Sequence, residues 1–105
     1  MNLSIEQKND STLITINKER LDVSNMQSFK DELTRIIDEG HHQLIIKLSA
    51  VTFIDSSGLS VLIGLFKRIN TIKGGKLQLC GLGTQPTELL QITQLDKIFT
   101  IVNCD

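Results

Sequence analysis

The chain is predicted to fold as an α/β domain, a small mixed β-sheet packed with α-helices. Three observations point there. Two short alternating runs near 3–7 and 12–17 flank Asn9-Asp10-Ser11, as the arms of a hairpin flank their turn. A one-faced helical pattern follows near 25–39. Strand-like and helix-like runs then alternate, which makes βαβ crossovers and demands parallel neighbours with right-handed connections. The 105 residues fit one domain spanning 1–105, and no linker, repeat or low-complexity segment divides them.

Each element has its own signal. Leu3 and Ile5 alternate with polar residues, as do Leu13 with Thr15 and Ile14 with Ile16. Ser24 and Gln27 fit a capping box with Ser24 as the N-cap, and Gly40 supplies the stop. Between them Met26, Phe29, Leu33, Ile36 and Ile37 recur at helical spacing. Leu44 to Leu48 is too short for a helix and reads as a buried central strand. Leu59, Leu62, Ile63, Phe66 and Ile69 form a second helical stripe, with Val61 and Leu65 beside it. Lys67, Arg68 and Lys73 crowd its far end, which suits the helix macrodipole, and Gly74-Gly75 ends it. Lys76 to Cys80 alternates like a strand. Thr84 is placed to cap a third helix, with Pro86 in its first turn and Leu89, Leu90 and Ile92 on its buried face. Ile98 to Val102 is a last apolar stretch whose type the pattern leaves open.

Composition narrows the function. Some 40% of the residues are hydrophobic, with no Trp or Tyr and four Phe, so a core of Leu, Ile and Val can form without staples. The formal net charge is −1 and the basic residues are scattered, so nucleic acid is not an expected partner. Cys80 and Cys104 follow no metal-ligand spacing and are expected to be reduced thiols. No signal peptide or membrane span is expected, and the expected compartment is the cytoplasm.

The stretch Ile54-Asp55-Ser56-Ser57-Gly58-Leu59 carries the functional interest. It joins an apolar strand-like run to a helical one, beyond a strand end where α/β sheets collect their sites. Ser56 would then stand at the mouth of a helix, where free N–H groups and a partial positive charge suit an anion such as phosphate. Asp55 can cap that helix, and Gly58 leaves one side bare for a partner's backbone or a nucleotide. A plain capped turn satisfies the same residues.

Enzymatic readings fail on the residues. A serine nucleophile needs a base, and the two histidines, His41 and His42, adjoin a helix end as solvated loop residues. Gly58 to Gly64 contains neither a P-loop lysine nor a dinucleotide fingerprint, so a nucleotide-binding protein is disfavoured. Asp22 and Asp55 are a candidate carboxylate pair whose separation the sequence leaves open. No catalytic set, metal site or cofactor is expected.

Val51 to Leu59 resembles the signature of STAS domains, and is most similar to the bacterial anti-sigma factor antagonists. Leu21-Asp22, Gly74-Gly75 and Leu95-Asp96-Lys97-Ile98-Phe99 fall where that family has similar residues, so the resemblance spans nearly the whole chain. It implies a regulator without activity of its own, with Ser56 as phosphoacceptor. Asp22, Val23, Ser24, Asn25, Asp55, Ser57, Gly58 and Leu59 would form the partner-binding surface, although Asp22 and Ser24 also serve as plain caps. The implied partners are a serine kinase that doubles as an anti-sigma factor, with ATP in a Bergerat-type fold, and a metal-dependent Ser/Thr phosphatase. The kinase binds the unmodified protein, and phosphorylation ends the binding. The same switch can serve another output, such as biofilm or exopolysaccharide control, and a passive interaction domain is a further alternative. A monomer is expected. Two positions depart from the family pattern: Glu19 or Arg20 stands where a glycine is often found, and Ser60 where another is common.

Overall fold

Every strand of the main sheet is short, which leaves the fold to be set by pairing and by what each face buries. The computed structural model describes residues 2–104; Met1 and Asp105, the ends of the expected domain, lie outside the described residues. Strands β1 (Leu3–Gln7) and β2 (Thr12–Ile16) form the expected hairpin, in register from Leu3 opposite Ile16 to Gln7 opposite Thr12. Strands β4 (Gln43–Lys47), β6 (Lys76–Cys80) and β7 (Thr100–Val102) then add in parallel, giving the order β1-β2-β4-β6-β7. A second, two-stranded parallel sheet pairs β3 (Arg20–Leu21) with β5 (Phe53–Ile54).

The helices are α1 (Met26–Asp38), α2 (Ser56–Asn70) and α3 (Thr84–Ile92), followed by a single 3-10 turn at Leu95–Lys97. The crossovers through α1 and α2 advance the same way across the sheet, and right-handed connections of that kind lay their helices on one face. The buried rows are Ile14 and Ile16, Leu44 and Ile46, and Leu77 and Leu79. They join Phe29, Leu33, Ile36 and Ile37 of α1 and Leu59, Leu62 and Ile69 of α2 in one core cluster. Val61 and Leu65, the pair beside the α2 stripe, are in that cluster too, so α2 buries a second layer.

Several expectations are corrected. Helix α1 is capped by Asn25, not by Ser24, and no side chain caps it. The Asp22 carboxylate takes the Ser24 hydroxyl, and Gln27 bonds forward to Asp31 at 2.9 Å, so the capping box never closes. Thr84 is the first residue of α3 and Gly83 is its N-cap. Ile92, expected on the buried face of α3, is 81% exposed, because Pro86 and Leu90 alone bury that helix deeply. Cys80 and Cys104 are joined in a disulfide, with their Cα atoms 5.3 Å apart. The β7 register explains the encounter: Val102 lies opposite Cys80, so Cys104 needs only two further residues to fold back. The open stretch after Ile98 resolves into β7, and buried Phe99 meets Phe66 of α2 edge-on, with 5.3 Å between ring centroids.

Candidate functional site

The short sheet β3-β5 exists to deliver two chain segments to one place. Glu19 offers its carbonyl to the N–H groups of Thr52 and Phe53 at 2.7 and 3.2 Å, and Leu21 offers its own to Asp55 at 3.1 Å. The Arg20 guanidinium lies 4.3 Å from the Phe53 ring centroid on the same pair of strands. Where the family pattern often has a glycine, Glu19 lies in a bend and Arg20 begins β3. After β3 comes the loop 22–25; after β5 comes Asp55 and the start of α2.

Asp55 links the two. It is extended, as N-caps are, and its Oδ1 accepts the Gly58 N–H at 3.0 Å. Its Oδ2 accepts the Val23 N–H from the neighbouring loop at 3.2 Å. One carboxylate therefore caps α2 and also holds the loop before α1. The N–H groups of Ser56 and Ser57 point along the helix axis with no intrahelical acceptor, since they belong to the first turn. Ser56 is exposed and Ser57 half-buried.

Asp22 organises the loop itself. Its Oδ1 accepts the backbone N–H and the hydroxyl of Ser24, and its Oδ2 pairs with the Arg20 guanidinium at 3.0 Å. The Ser24 hydroxyl first, and Arg20 second, hold the Asp22 carboxyl below its ordinary value. Asn25 turns its side chain backward, accepting the Asp22 N–H at 3.1 Å and donating to the Arg20 carbonyl at 2.7 Å. With its backbone so occupied, the loop leaves Val23 standing out, 72% exposed.

The eight residues expected as a partner surface divide. Asp22, Val23, Ser24, Asn25, Asp55 and Ser57 are exposed or half-buried, and the Val23–Asp55 bond ties their two segments together beside Ser56. Gly58 and Leu59 face inward. Leu59 is in the core, and a methyl group at Gly58 would overlap the Leu21 carbonyl. The bare side of Gly58, expected to admit a partner or a nucleotide, is filled by β3 of the same chain. Ser60 is exposed, and its hydroxyl turns back to the Ser56 carbonyl at 2.8 Å. Asp22 and Asp55 are linked through the Val23 N–H, which follows Asp22 in the chain and bonds Asp55, and both carboxylates are taken up by hydrogen bonds that hold the loop and the helix start. His41 is not merely solvated: its Nδ1 lies 3.0 Å from the Thr12 hydroxyl, on β2. Among the described residues, no group of His, Cys, Asp and Glu could hold a metal ion, and no helix is long and apolar enough to cross a membrane.

Gln85 of α3 was not legible as part of this site. Its carboxamide bonds both the N–H and the carbonyl of Ile54, each at 2.9 Å. Nothing in the sequence near Gln85 signals a contact with a residue so far back along the chain.

Known proteins share this fold. The chain is 31% identical over 102 residues to the anti-sigma-B factor antagonist of Bacillus subtilis (strain 168), covering 96% of this chain and 92% of that protein. Its fold matches an anti-sigma-factor antagonist (STAS) domain protein from Planctomyces limnophilus, with a TM-score of 0.87 at 21% identity, over 98% of this chain and 91% of that one. It also matches the anti-sigma factor antagonist SpoIIAA in its unphosphorylated form, with a TM-score of 0.80 at 15% identity, over 99% and 89% of the two chains. SpoIIAA of Bacillus in its phosphorylated form matches with a TM-score of 0.74 at 16% identity, over 99% and 92%. The STAS domain family model matches residues 2–103, and the chain belongs to the STAS domain family.

Proposed function

We propose that this STAS domain, spanning 1–105, is an anti-sigma factor antagonist whose partner binding is switched by phosphorylation of Ser56. The observation that carries the reading is the position of Ser56. Its hydroxyl is exposed at the first residue of α2, beside a carboxylate that also anchors the neighbouring loop. A hydroxyl there is open to a kinase, and a phosphate there adds about −1.5 to −2 charges at the positive end of a helix. The fold tolerates that charge. A partner surface fitted to a neutral hydroxyl does not, because burying an unpaired phosphate costs several kcal/mol.

Exposed Val23 and Ser24, with Asp22, Asn25, Asp55 and Ser57, form the surface the partner meets. Gly58 and Leu59 support it from beneath. The partner is a serine kinase that is also an anti-sigma factor, with ATP in a Bergerat-type fold. A metal-dependent Ser/Thr phosphatase restores the free hydroxyl. The protein works as a monomer in the cytoplasm, as substrate and ligand, with no reaction of its own. Two further points support this. The anti-sigma-B factor antagonist is a relative over nearly the full length of both chains. The fold is also shared with a protein found in both unphosphorylated and phosphorylated forms.

The test is labelling with such a kinase and ATP, with the site mapped by mass spectrometry. Ser56→Ala is expected to abolish labelling and Ser57→Ala to retain it. Ser56→Asp is expected to weaken kinase binding at least about tenfold, the equivalent of roughly 1.4 kcal/mol. Persistent labelling of Ser56→Ala overturns the assignment of the phosphoacceptor.

A further inference from the structure

We propose that Gln85 is a positioning residue for the Ser56 turn. It stands in for a missing strand along the free edge of β5.

Strand β5 has a partner on one side only. Backbone bonds alternate along a strand, and here the N–H groups of Phe53 and Asp55 go to the Glu19 and Leu21 carbonyls of the β3 segment. The N–H and carbonyl of Ile54 therefore point the other way, where β5 has no neighbouring strand. Gln85 fills that side. Its Oε1 accepts the Ile54 N–H and its Nε2 donates to the Ile54 carbonyl, both at 2.9 Å. A primary carboxamide carries the same donor and acceptor as a peptide unit, so one side chain supplies what a strand would. Ile54 is buried, and without Gln85 both of its polar groups would lose their partner in a place water reaches poorly.

Ile54 is the residue before the cap. Held from both edges, it sets the direction in which the chain enters Asp55, and so where the Asp55 carboxylate meets Gly58 and Val23. The α3 helix that carries Gln85 is seated separately, by buried Pro86 and Leu90. The Gln85 carboxamide can thus be removed with α3 still docked. Group transfer to a hydroxyl is steep in geometry, and a misplacement of about 1 Å costs up to roughly 100-fold in rate. The consequence for phosphorylation rests on the reading of Ser56 as phosphoacceptor; the positioning itself does not.

The experiment compares wild type with Gln85→Met, which keeps an unbranched side chain of similar length without the amide. Leu90→Ala, which removes core packing from α3 and keeps the Gln85 carboxamide, serves as a control for general loosening. Amide hydrogen exchange is followed at Asp55 and Gly58, whose own N–H groups bond the Leu21 carbonyl and the Asp55 carboxylate and not Gln85. Gln85→Met is expected to lower protection at both by about tenfold more than at the central strands, and Leu90→Ala is not. Undiminished protection at Asp55 and Gly58 in Gln85→Met, or an equal loss in Leu90→Ala, overturns the proposal. In the kinase assay, Gln85→Met is expected to lower kcat for Ser56 about tenfold with KM little changed. An unchanged kcat on a wild-type protein that is labelled at Ser56 overturns the link to phosphorylation. Absence of label on the wild type instead refutes the proposed function, and the exchange result still decides the role of Gln85.

Discussion

Replacing Gly58 by alanine sets two opposed effects against each other at one position. Alanine is favoured over glycine within a helix by about 1 kcal/mol. Against that, a Cβ at Gly58 would overlap the carbonyl oxygen, carbonyl carbon and Cβ of Leu21. These are β3 atoms, and the same carbonyl accepts the Asp55 N–H at 3.1 Å, so no side-chain rotation relieves the clash. The start of α2 must back away from β3, and overpacking of this kind costs about 1–3 kcal/mol. Because the overlap is with backbone, the upper half of that range applies, about 2–3 kcal/mol, and after the helix gain the net expectation is a loss of about 1–2 kcal/mol, or roughly 4–9 °C in Tm for a domain of this size. Gly64→Ala, in the same helix, is the matched contrast. A Cβ there meets nothing within 4 Å, so only the helix preference remains, a gain of about 0.5–1 kcal/mol. Urea unfolding read at an unchanged m-value measures both variants. If the two shift stability in the same direction, or if Gly58→Ala is as stable as wild type, the close approach of α2 to β3 is not what requires a glycine here.

Two further predictions follow from particular contacts. Cys80 and Cys104 are 24 residues apart in sequence, and closing a loop of that size stabilises by about 3 kcal/mol in the chain-entropy account. Cys104→Ser and reduction of the wild type are therefore expected to lower Tm alike, and a loss below about 1 kcal/mol would refute the staple. The Asp22 carboxyl is depressed first by the Ser24 hydroxyl, so the stability its ionised form contributes is present above the ordinary carboxylate value of 3.8 and is lost as pH falls through the lower, folded value. Ser24→Ala is expected to raise the Asp22 midpoint in an NMR pH titration, and an unmoved midpoint would remove Ser24 as the cause.

The parts of the fold that were legible in the sequence are those in which local pattern and tertiary packing agree. β2, α1 and α2 each bury one side of a periodic run, so periodicity marked them, and β4 was marked by a short apolar run. The misses share a cause. A pattern shows which residues could be buried, but not which partner wins them. Ser24 is a good cap by type, yet the Asp22 carboxylate lies closer to its hydroxyl. Ile92 fits the α3 stripe, but that helix is short and rolls onto Pro86 and Leu90. The two-residue strands β3 and β5 carry no period at all, since they are specified by carbonyls of Glu19 and Leu21 reaching across the chain. The disulfide was hidden for the same reason, as it depends on the register of β7 against β6. At the site, Asp55 as cap and Ser56 at the helix mouth were legible because capping is local chemistry. The second bond of Asp55, to Val23, and the amide clamp of Gln85 are long-range and leave no mark in either segment.

These long-range bonds bear on how the site can switch at all. A device of this kind must change what docks on it by more than it changes its own stability. A phosphate on Ser56 would meet the N-terminus of a 15-residue helix, an interaction of about 0.3–1 kcal/mol in its favour at an exposed position. The cost on the docking side is larger, because an unpaired charge taken out of water in an interface loses several kcal/mol. The asymmetry survives only if the surroundings do not rearrange to shield the charge. Asp55 cannot swing aside without releasing both Gly58 and Val23. Asp22 is bound by Ser24 and Arg20, which favours its ionised form and keeps Arg20 engaged with it. The proposed docking surface therefore has its two carboxylates, Asp22 and Asp55, held in place before any phosphate is added. In the proposed switch, a small loop in which both oxygens of Asp22 and of Asp55 are occupied would turn one added phosphate into a difference in affinity, with the fold left as it was.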